Sequence, residues 1–374
     1  MDWDVSVLGL EIMSLPVKGD GDENLRGTES FQMIRYALDH GVNLLHLDYP
    51  LHRKQHGGLI RRVREALQDG YRDGAKVALT VPSNQIHSSQ DLDRFIKEKL
   101  QLLHLEAIDF LVFGELNRIE WSKLQDLNAL GWAEWAMKEG RINHLGFSFH
   151  DDFQVLKDIL DGYPHWTLCQ FRYSYMDVAH HPGLSGLQYA HKKGLAVVVR
   201  EPLRRGRLTR EPPGPVAEVW KRAKQKRSLA EWGLRWIWNH PEVSVAVTDM
   251  SSMEQVVEYV ALADRAEPDS LSVLDLVLIN QVRETYNQIR PIPCTACGCC
   301  MPCPQEIDVP QIFELYNDAV LYGEIDIPRF QYELEQHDLG HCTECGSCAE
   351  ACPKEIAILD FLKAAHQCFE NEDP

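Results

Sequence analysis

Before about residue 265, eight short β-branched or aliphatic runs alternate with eight amphipathic helical patterns. The strand-like runs are VSVLGLEI, NLLHLD, KVALTV, IDFLVF, HLGFSF, WTLCQFRY, LAVVVR and VSVAVT. Between them lie FQMIRYALDHG, GLIRRVREAL, DLDRFIKEKLQLLH, NALGWAEWAMKEG, FQVLKDILDG, SGLQYAHKKG and LAEWGLRWIWNH, and MEQVVEYVALAD follows the last. Several of these end in Gly or His-Pro, as helix C-termini do. Evenly spaced strand–helix units predict a closed (β/α)8 TIM barrel rather than an open doubly wound sheet. No G-x-G-x-x-G follows the first strand, which weakens a Rossmann reading further. Functional groups of such a barrel gather at the C-terminal ends of its strands.

A barrel of about 250 residues leaves room in this chain for a small second domain. The expected division is a barrel over 1–265, a helical connector over 266–290 and a cysteine-rich domain over 291–374. The polar segment DRAEPDS opens the connector, whose helical pattern is LSVLDLVLINQVRETYNQIR. Beyond it, DVPQIFELYNDAVLYG and PRFQYELEQH read as helices, so the last domain is expected to be a mostly helical ferredoxin-like module.

Nine of the eleven cysteines lie between Cys294 and Cys352, and such clustering points to metal rather than to disulfides. CTECGSCAEACP sets Cys342, Cys345, Cys348 and Cys352 in C-x2-C-x2-C-x3-C-P spacing, the bacterial [4Fe–4S] run. In that run three thiolates hold one cluster and the fourth reaches a neighbouring one. CTACGCCMPCP supplies Cys294, Cys297, Cys300 and Cys303, while Cys299 falls out of phase. Two [4Fe–4S] clusters are therefore expected. Crossed ligation gives one cluster Cys294, Cys297, Cys300 and Cys352, and the other Cys342, Cys345, Cys348 and Cys303. A structural zinc pair ordinarily leaves a wider gap between its C-x2-C pairs. Cys169 and Cys368 read as packing residues.

The net charge of −18 argues against sequence-independent nucleic-acid binding and suits docking of a basic redox partner. No apolar run follows a basic segment at the start, and no stretch reaches the roughly 20 apolar residues of a membrane helix. The expected location is the cytoplasm.

The order of LGLEIM, GVNLLHLDYPLH, IDFLVFGELN, LGFSFHDD, CQFRYSYMD, REPLRRGRL and VTDMSSMEQV, followed by the two cysteine motifs, resembles the ferredoxin-linked aldo-keto reductases. The resemblance covers nearly the whole chain. It implies carbonyl or alcohol chemistry with a nicotinamide nucleotide and a catalytic Asp, Tyr, Lys and His. In that set Tyr gives the proton, and a neighbouring Lys lowers a phenol pKa that is otherwise about 10. Aligned without a gap, the family's Asp position is His46 and its Tyr position is Leu51. The Lys position is Thr80 and the His position is Gly114. All four depart from the pattern. His46 and Asp48, two apart and so on one face of their strand, remain as catalytic candidates. Tyr49 is expected to point elsewhere, and Lys76 begins its strand at the wrong end.

For NAD(P)H, the resemblance implies Gln170 near the nicotinamide amide and Arg204, Arg205 and Gly206 near a pyrophosphate. Ser251, Ser252 and Glu258 correspond to the adenosine end. Against this, LGLE places Glu11 where the nucleotide would approach, Asp249 replaces a Gly and Tyr259 an Asn. An acidic residue beside a phosphate costs affinity. Other polar groups expected at the rim are His52, His56, Glu115, His150, Arg172, Tyr173, Arg200 and Glu201. Their histidines match no standard metal spacing. Arg172 and Arg200 either recognise an anion or pair with Glu201 and Asp48.

The expectation is an iron–sulfur oxidoreductase-type protein that exchanges electrons with a redox partner protein. The alternatives are an NAD(P)H-dependent oxidoreductase with a rebuilt site for a small-molecule substrate at the barrel mouth, or a non-catalytic barrel that docks a partner.

Overall fold

The computed structural model describes residues 4–17, 28–48, 56–178, 182–295, 297–301, 303–305, 307–334 and 339–370. Two compact units are present. The first comprises Met1–Arg210 and Arg227–Ser272; the second comprises Glu211–Lys226 and Val273–Pro374.

In the first unit eight parallel strands close into a barrel in sequence order. They are β1 (Leu8–Glu11), β2 (Leu44–Leu47), β3 (Lys76–Val81) and β4 (Ile108–Leu116). Then follow β5 (Ile142–Phe149), β6 (Leu168–Arg172), β7 (Ala196–Arg200) and β8 (Val243–Thr248). Closure comes from β1 pairing with β8, with Gly9 opposite Val247. The strands are buried almost end to end, as expected where helices cover one face and the barrel interior the other. Inside, Leu44, Ala78, Phe110, Val112, Leu168, Val198, Val245 and Val247 form one apolar cluster.

Loops leaving the strands end on polar N-caps. Ser88, Asp152, Ser228 and Ser252 accept from backbone N–H groups two or three residues on, at 2.8–3.4 Å. These bonds satisfy donors that the first turn of a helix leaves open. They also fix where each loop ends at the barrel mouth.

The second unit is helical around its own core of Ile292, Ile307, Ile312, Phe313, Leu315, Ile358, Leu362 and Phe369 among others. Its helices include Val273–Ile289, Val309–Tyr322, Asp326–Leu334 and Ile358–Glu370. A helix absent from the pattern-based reading, Gly214–Trp220, lies in the stretch between β7 and β8 yet packs on Val273–Ile289 within this unit. At seven residues it is too short to show helical periodicity. No helix among the described residues is long and apolar enough to cross a membrane.

Candidate functional site

At the C-terminal ends of the strands, the inward side chains form a chain of ion pairs. Glu11, the last residue of β1, lies opposite His46 of β2 in the ladder, and its Oε2 sits 2.7 Å from His46 Nδ1. On the other side of the ring, His46 Nε2 is 3.1 Å from Gln170 Oε1. All three side chains are buried. Arg200, ending β7, pairs with Asp48 and reaches Glu11 Oε2 at 3.8 Å. Arg172, ending β6, pairs with Glu201 at 3.2 Å, and Arg205 takes the other oxygen of Glu201 at 3.0 Å.

The charges hold one another in place. Burial opposes the charge on Arg200, but Asp48, Glu11 and Glu201 keep its pKa above the ordinary guanidinium value. Glu201 likewise raises Arg205 against the effect of burial. Asp249, just past β8, has the opposite fate. Burial, then Glu201 and Glu11, pushes its carboxyl up to about 7 despite Arg205 and Arg200.

The remaining rim candidates divide. Thr80 is buried, with its hydroxyl lacking a hydrogen-bond partner among the described residues. A Cβ on Gly114 would lie 2.7 Å from the Val81 carbonyl oxygen and 2.9 Å from Thr80 Cγ2, so a larger side chain there requires β3 to shift. Glu115 and His150 are exposed, and Glu115 stands at φ 51° beside an irregularity in the β4–β5 ladder. Tyr173 does not join the rim. It is fully buried with its ring 5.2 Å from Trp236 and 5.6 Å from His240, because neighbours along an extended chain point opposite ways and Arg172 takes the inward one. Tyr49, Leu51 and His52 lie outside the described residues, and His56 opens the helix His56–Ala66.

The residues expected at a nucleotide are engaged with their neighbours. Ser252 caps the helix Met253–Ala263, and Ser251 donates to Gln255 Oε1 at 3.2 Å. Glu258 accepts from the Ser228 hydroxyl at 2.6 Å. Arg204 lies 3.9 Å from Asp177, and Gly206 takes a left-handed φ of 82° after two residues also at positive φ. Burial, then Glu258 and Asp249, raises the Tyr259 phenol.

In the second unit the cysteines gather around two hollows. One, about 200 Å³, is lined by Cys299, Cys300, Cys303, Cys342, Cys345 and Cys348. The smaller is lined by Cys294, Cys297, Cys300 and Cys352, again with Cys299 beside them. The last cysteine of each motif thus faces the hollow of the other. Cys294, Cys300, Cys303, Cys342, Cys348 and Cys352 pack against the apolar core, so the hollows are dry on one side. Thiols converging on the larger hollow fit a cubane; the smaller hollow, about 20 Å³, presents the same donor chemistry, and thiols suit iron. Among the described residues, no three His, Cys, Asp or Glu side chains converge as a single-ion site would.

The loop entering the first motif is held from behind. The buried Asn317 side chain accepts from Ile292 N–H at 2.8 Å and donates to the Ile292 carbonyl at 3.0 Å. Arg290 donates to the Cys294 carbonyl at 3.0 Å. Sequence reading missed Asn317, whose one signal is a polar residue among the apolar positions of its helix. Cys169 lies in β6, where burial pushes its thiol up to about 12, and Cys368 packs on the second core.

The profile of the aldo/keto reductase family matches residues 17–271, the greater part of the chain. The chain belongs to the aldo/keto reductase family. The 4Fe-4S dicluster domain profile matches residues 293–357. An aldo/keto reductase barrel joined to a dicluster domain makes this an iron–sulfur protein of the oxidoreductase type. Among solved structures, the aldo-keto reductase AKR11C1 from Bacillus halodurans, in its holo form, is 22% identical with a TM-score of 0.61. That match covers 75% of this chain and 93% of the other. An aldo/keto reductase from Klebsiella pneumoniae, in complex with NADP and acetate, is 21% identical with a TM-score of 0.59, over 75% of this chain and 92% of its own. These likenesses concern the fold. Subunit alpha 1 of the acetyl-CoA decarbonylase/synthase complex from Methanosarcina acetivorans is 33% identical over 75 residues, 20% of this chain. The Methanosarcina barkeri subunit is 35% identical over the same share. The match spans only 8% of the length of each of these curated relatives.

Proposed function

We propose that this aldo/keto reductase relative carries electrons through two [4Fe–4S] clusters. Cys294, Cys297, Cys300 and Cys352 would hold one, and Cys342, Cys345, Cys348 and Cys303 the other. The observation that carries the reading is the exchange of the last cysteine between the two hollows. A cluster bound there supplies a one-electron couple whose potential depends on hydrogen bonds to sulfur and on solvent access. Gln305 offers one such bond, its backbone N–H donating to Cys303 Sγ at 3.4 Å.

On this reading the barrel mouth does not run the family's usual hydride chemistry. Carbonyl reduction needs a group that delivers a proton to the developing alkoxide. His46, Thr80 and Gly114 stand where the family pattern has Asp, Lys and His. Gly114 has no room for a side chain without movement of β3. A nucleotide pyrophosphate would also have to take Arg205 from Glu201 and settle near Glu11 and Asp249, a loss on both counts. The partner is a redox protein with a basic docking face, matched to the net charge of −18.

The test is EPR on anaerobically purified, iron-loaded protein treated separately with NADPH, NADH and dithionite. Dithionite should give reduced-cluster signals and the nucleotides none. Reduction by NADPH would overturn the reading of the barrel; no cluster signal with dithionite would overturn the reading of the cysteines.

A further inference from the structure

A (β/α)8 barrel interior is ordinarily filled by layers of branched side chains. Here a cavity of about 420 Å³ remains, within the size range of small-molecule sites. It is walled by Leu44, Ala78, Phe110, Leu168, Ala196 and Val245. Leu44, Leu168 and Ala196 are the first residues of β2, β6 and β7, and Val5, Gly194 and Leu195 precede strands. The cavity therefore lies toward the N-terminal ends of the strands, the end opposite the ion-paired rim. Two wall positions, Ala78 and Ala196, carry only a methyl group, and Leu168 lies over Gly146 in the place a side chain there would occupy.

The inner end of the cavity is polar. His46 and Gln170 line it, and Gln170 is 1% exposed. Its Oε1 faces His46, while its Nε2 has no hydrogen-bond partner among the described residues. An amide donor buried without a partner is costly, and native structures ordinarily satisfy it. Exchanging the amide's oxygen and nitrogen would pair Nε2 with His46 and leave Oε1 open instead. Either way one amide atom needs a partner, and a hydroxyl group, both donor and acceptor, serves each case. A carboxylate would not serve, because Glu11 already stands 2.7 Å from the far side of the His46 ring.

We infer that the barrel carries a second binding site at its N-terminal end, which takes a small, neutral, mostly hydrocarbon alcohol with its hydroxyl on Gln170. The site lies within the barrel unit, and binding there involves neither cluster. Its occupant is bound rather than transformed: among the described polar residues that line the cavity, His46 is held between Glu11 and Gln170, Ser244 accepts from the Val197 N–H at 3.2 Å, and His191 lies exposed in the last turn of the helix Gly183–Lys192.

The test uses the full-length, iron-loaded protein and three probes of similar size: 2-phenylethanol, ethylbenzene and phenylacetate. Calorimetric titration should give saturable binding of 2-phenylethanol, at least about tenfold weaker binding of ethylbenzene and no binding of phenylacetate. Ala78→Leu and Ala196→Leu should each weaken 2-phenylethanol binding by more than about tenfold with iron content and circular dichroism unchanged. Should Ala78→Leu fail to fold, Ala196→Leu, at the N-terminal start of β7, decides the point. Gln170→Leu should erase the preference for the alcohol over the hydrocarbon. Non-saturating 2-phenylethanol, equal binding of phenylacetate, affinity untouched by both alanine substitutions, or a preference that survives Gln170→Leu would each overturn the site.

Discussion

Asp249→Asn should stabilise the barrel, and by an amount that grows with pH. Asp249 lies just past β8, partly buried, with Glu201 and Glu11 adding repulsion to the cost of desolvation. Its folded pKa of about 7 stands above the unfolded value of 3.8. A carboxyl raised in this way keeps in the folded state a proton that the unfolded chain has already released. Stability therefore falls as pH rises from the unfolded value to the folded one, and levels off above it. Each pH unit in that window costs about 1.4 kcal/mol, so the whole penalty is about 4 kcal/mol above pH 7. Asparagine keeps the shape and removes the charge. The variant should gain about 2 kcal/mol near pH 5.5 and about 4 kcal/mol near pH 8. Urea denaturation followed by tryptophan fluorescence would read this, since Trp121, Trp166, Trp232, Trp236 and Trp238 are buried in the barrel unit. A gain that stays constant with pH, or a loss of stability, would refute the electrostatic account of the mouth.

Asn317→Ala should destabilise the second unit by about 2–4 kcal/mol and speed loss of iron, because it strands the buried N–H and C=O of Ile292 two residues before Cys294. Loss of visible absorbance during denaturation would check it, and a change under about 0.5 kcal/mol would count against the clamp. Cys345→Ala should remove one cluster's iron and leave barrel circular dichroism intact; unchanged iron would sink its assignment as a ligand. Gly114→Ala should cost about 1–3 kcal/mol in barrel stability, since the new methyl group meets the Val81 carbonyl oxygen at 2.7 Å. A neutral result would show that β3 yields freely there.

The eight strand runs all reappear as barrel strands, because a strand buried on both faces must be apolar along its length and reads so in one dimension. The polar site was less legible. The two-residue period sets His46 and Asp48 on one face, but their partners Glu11 and Arg200 lie 35 and 152 residues away in the chain, respectively. No local pattern announces such a pair. Tyr173 shows the converse: its neighbour Arg172 points into the barrel, so Tyr173 must face the helices, and only register decides which of the two is inside.

By itself the sequence determined what is periodic or local: the strand–helix alternation that closes a barrel, and the cysteine spacing that the 4Fe-4S dicluster domain profile matches over 293–357. Tertiary structure alone decided what depends on side chains distant in the chain. It neutralised the arginines at the mouth with Asp48 and Glu201, joined the short helix Gly214–Trp220 to the second unit, set Asn317 behind the first cysteine loop and left a cavity behind Gln170. The division follows from range. Backbone hydrogen bonding and burial repeat every few residues and so leave a pattern in the sequence. Charge pairing and cavity volume depend on which surfaces closure brings together, and closure is a property of the whole barrel.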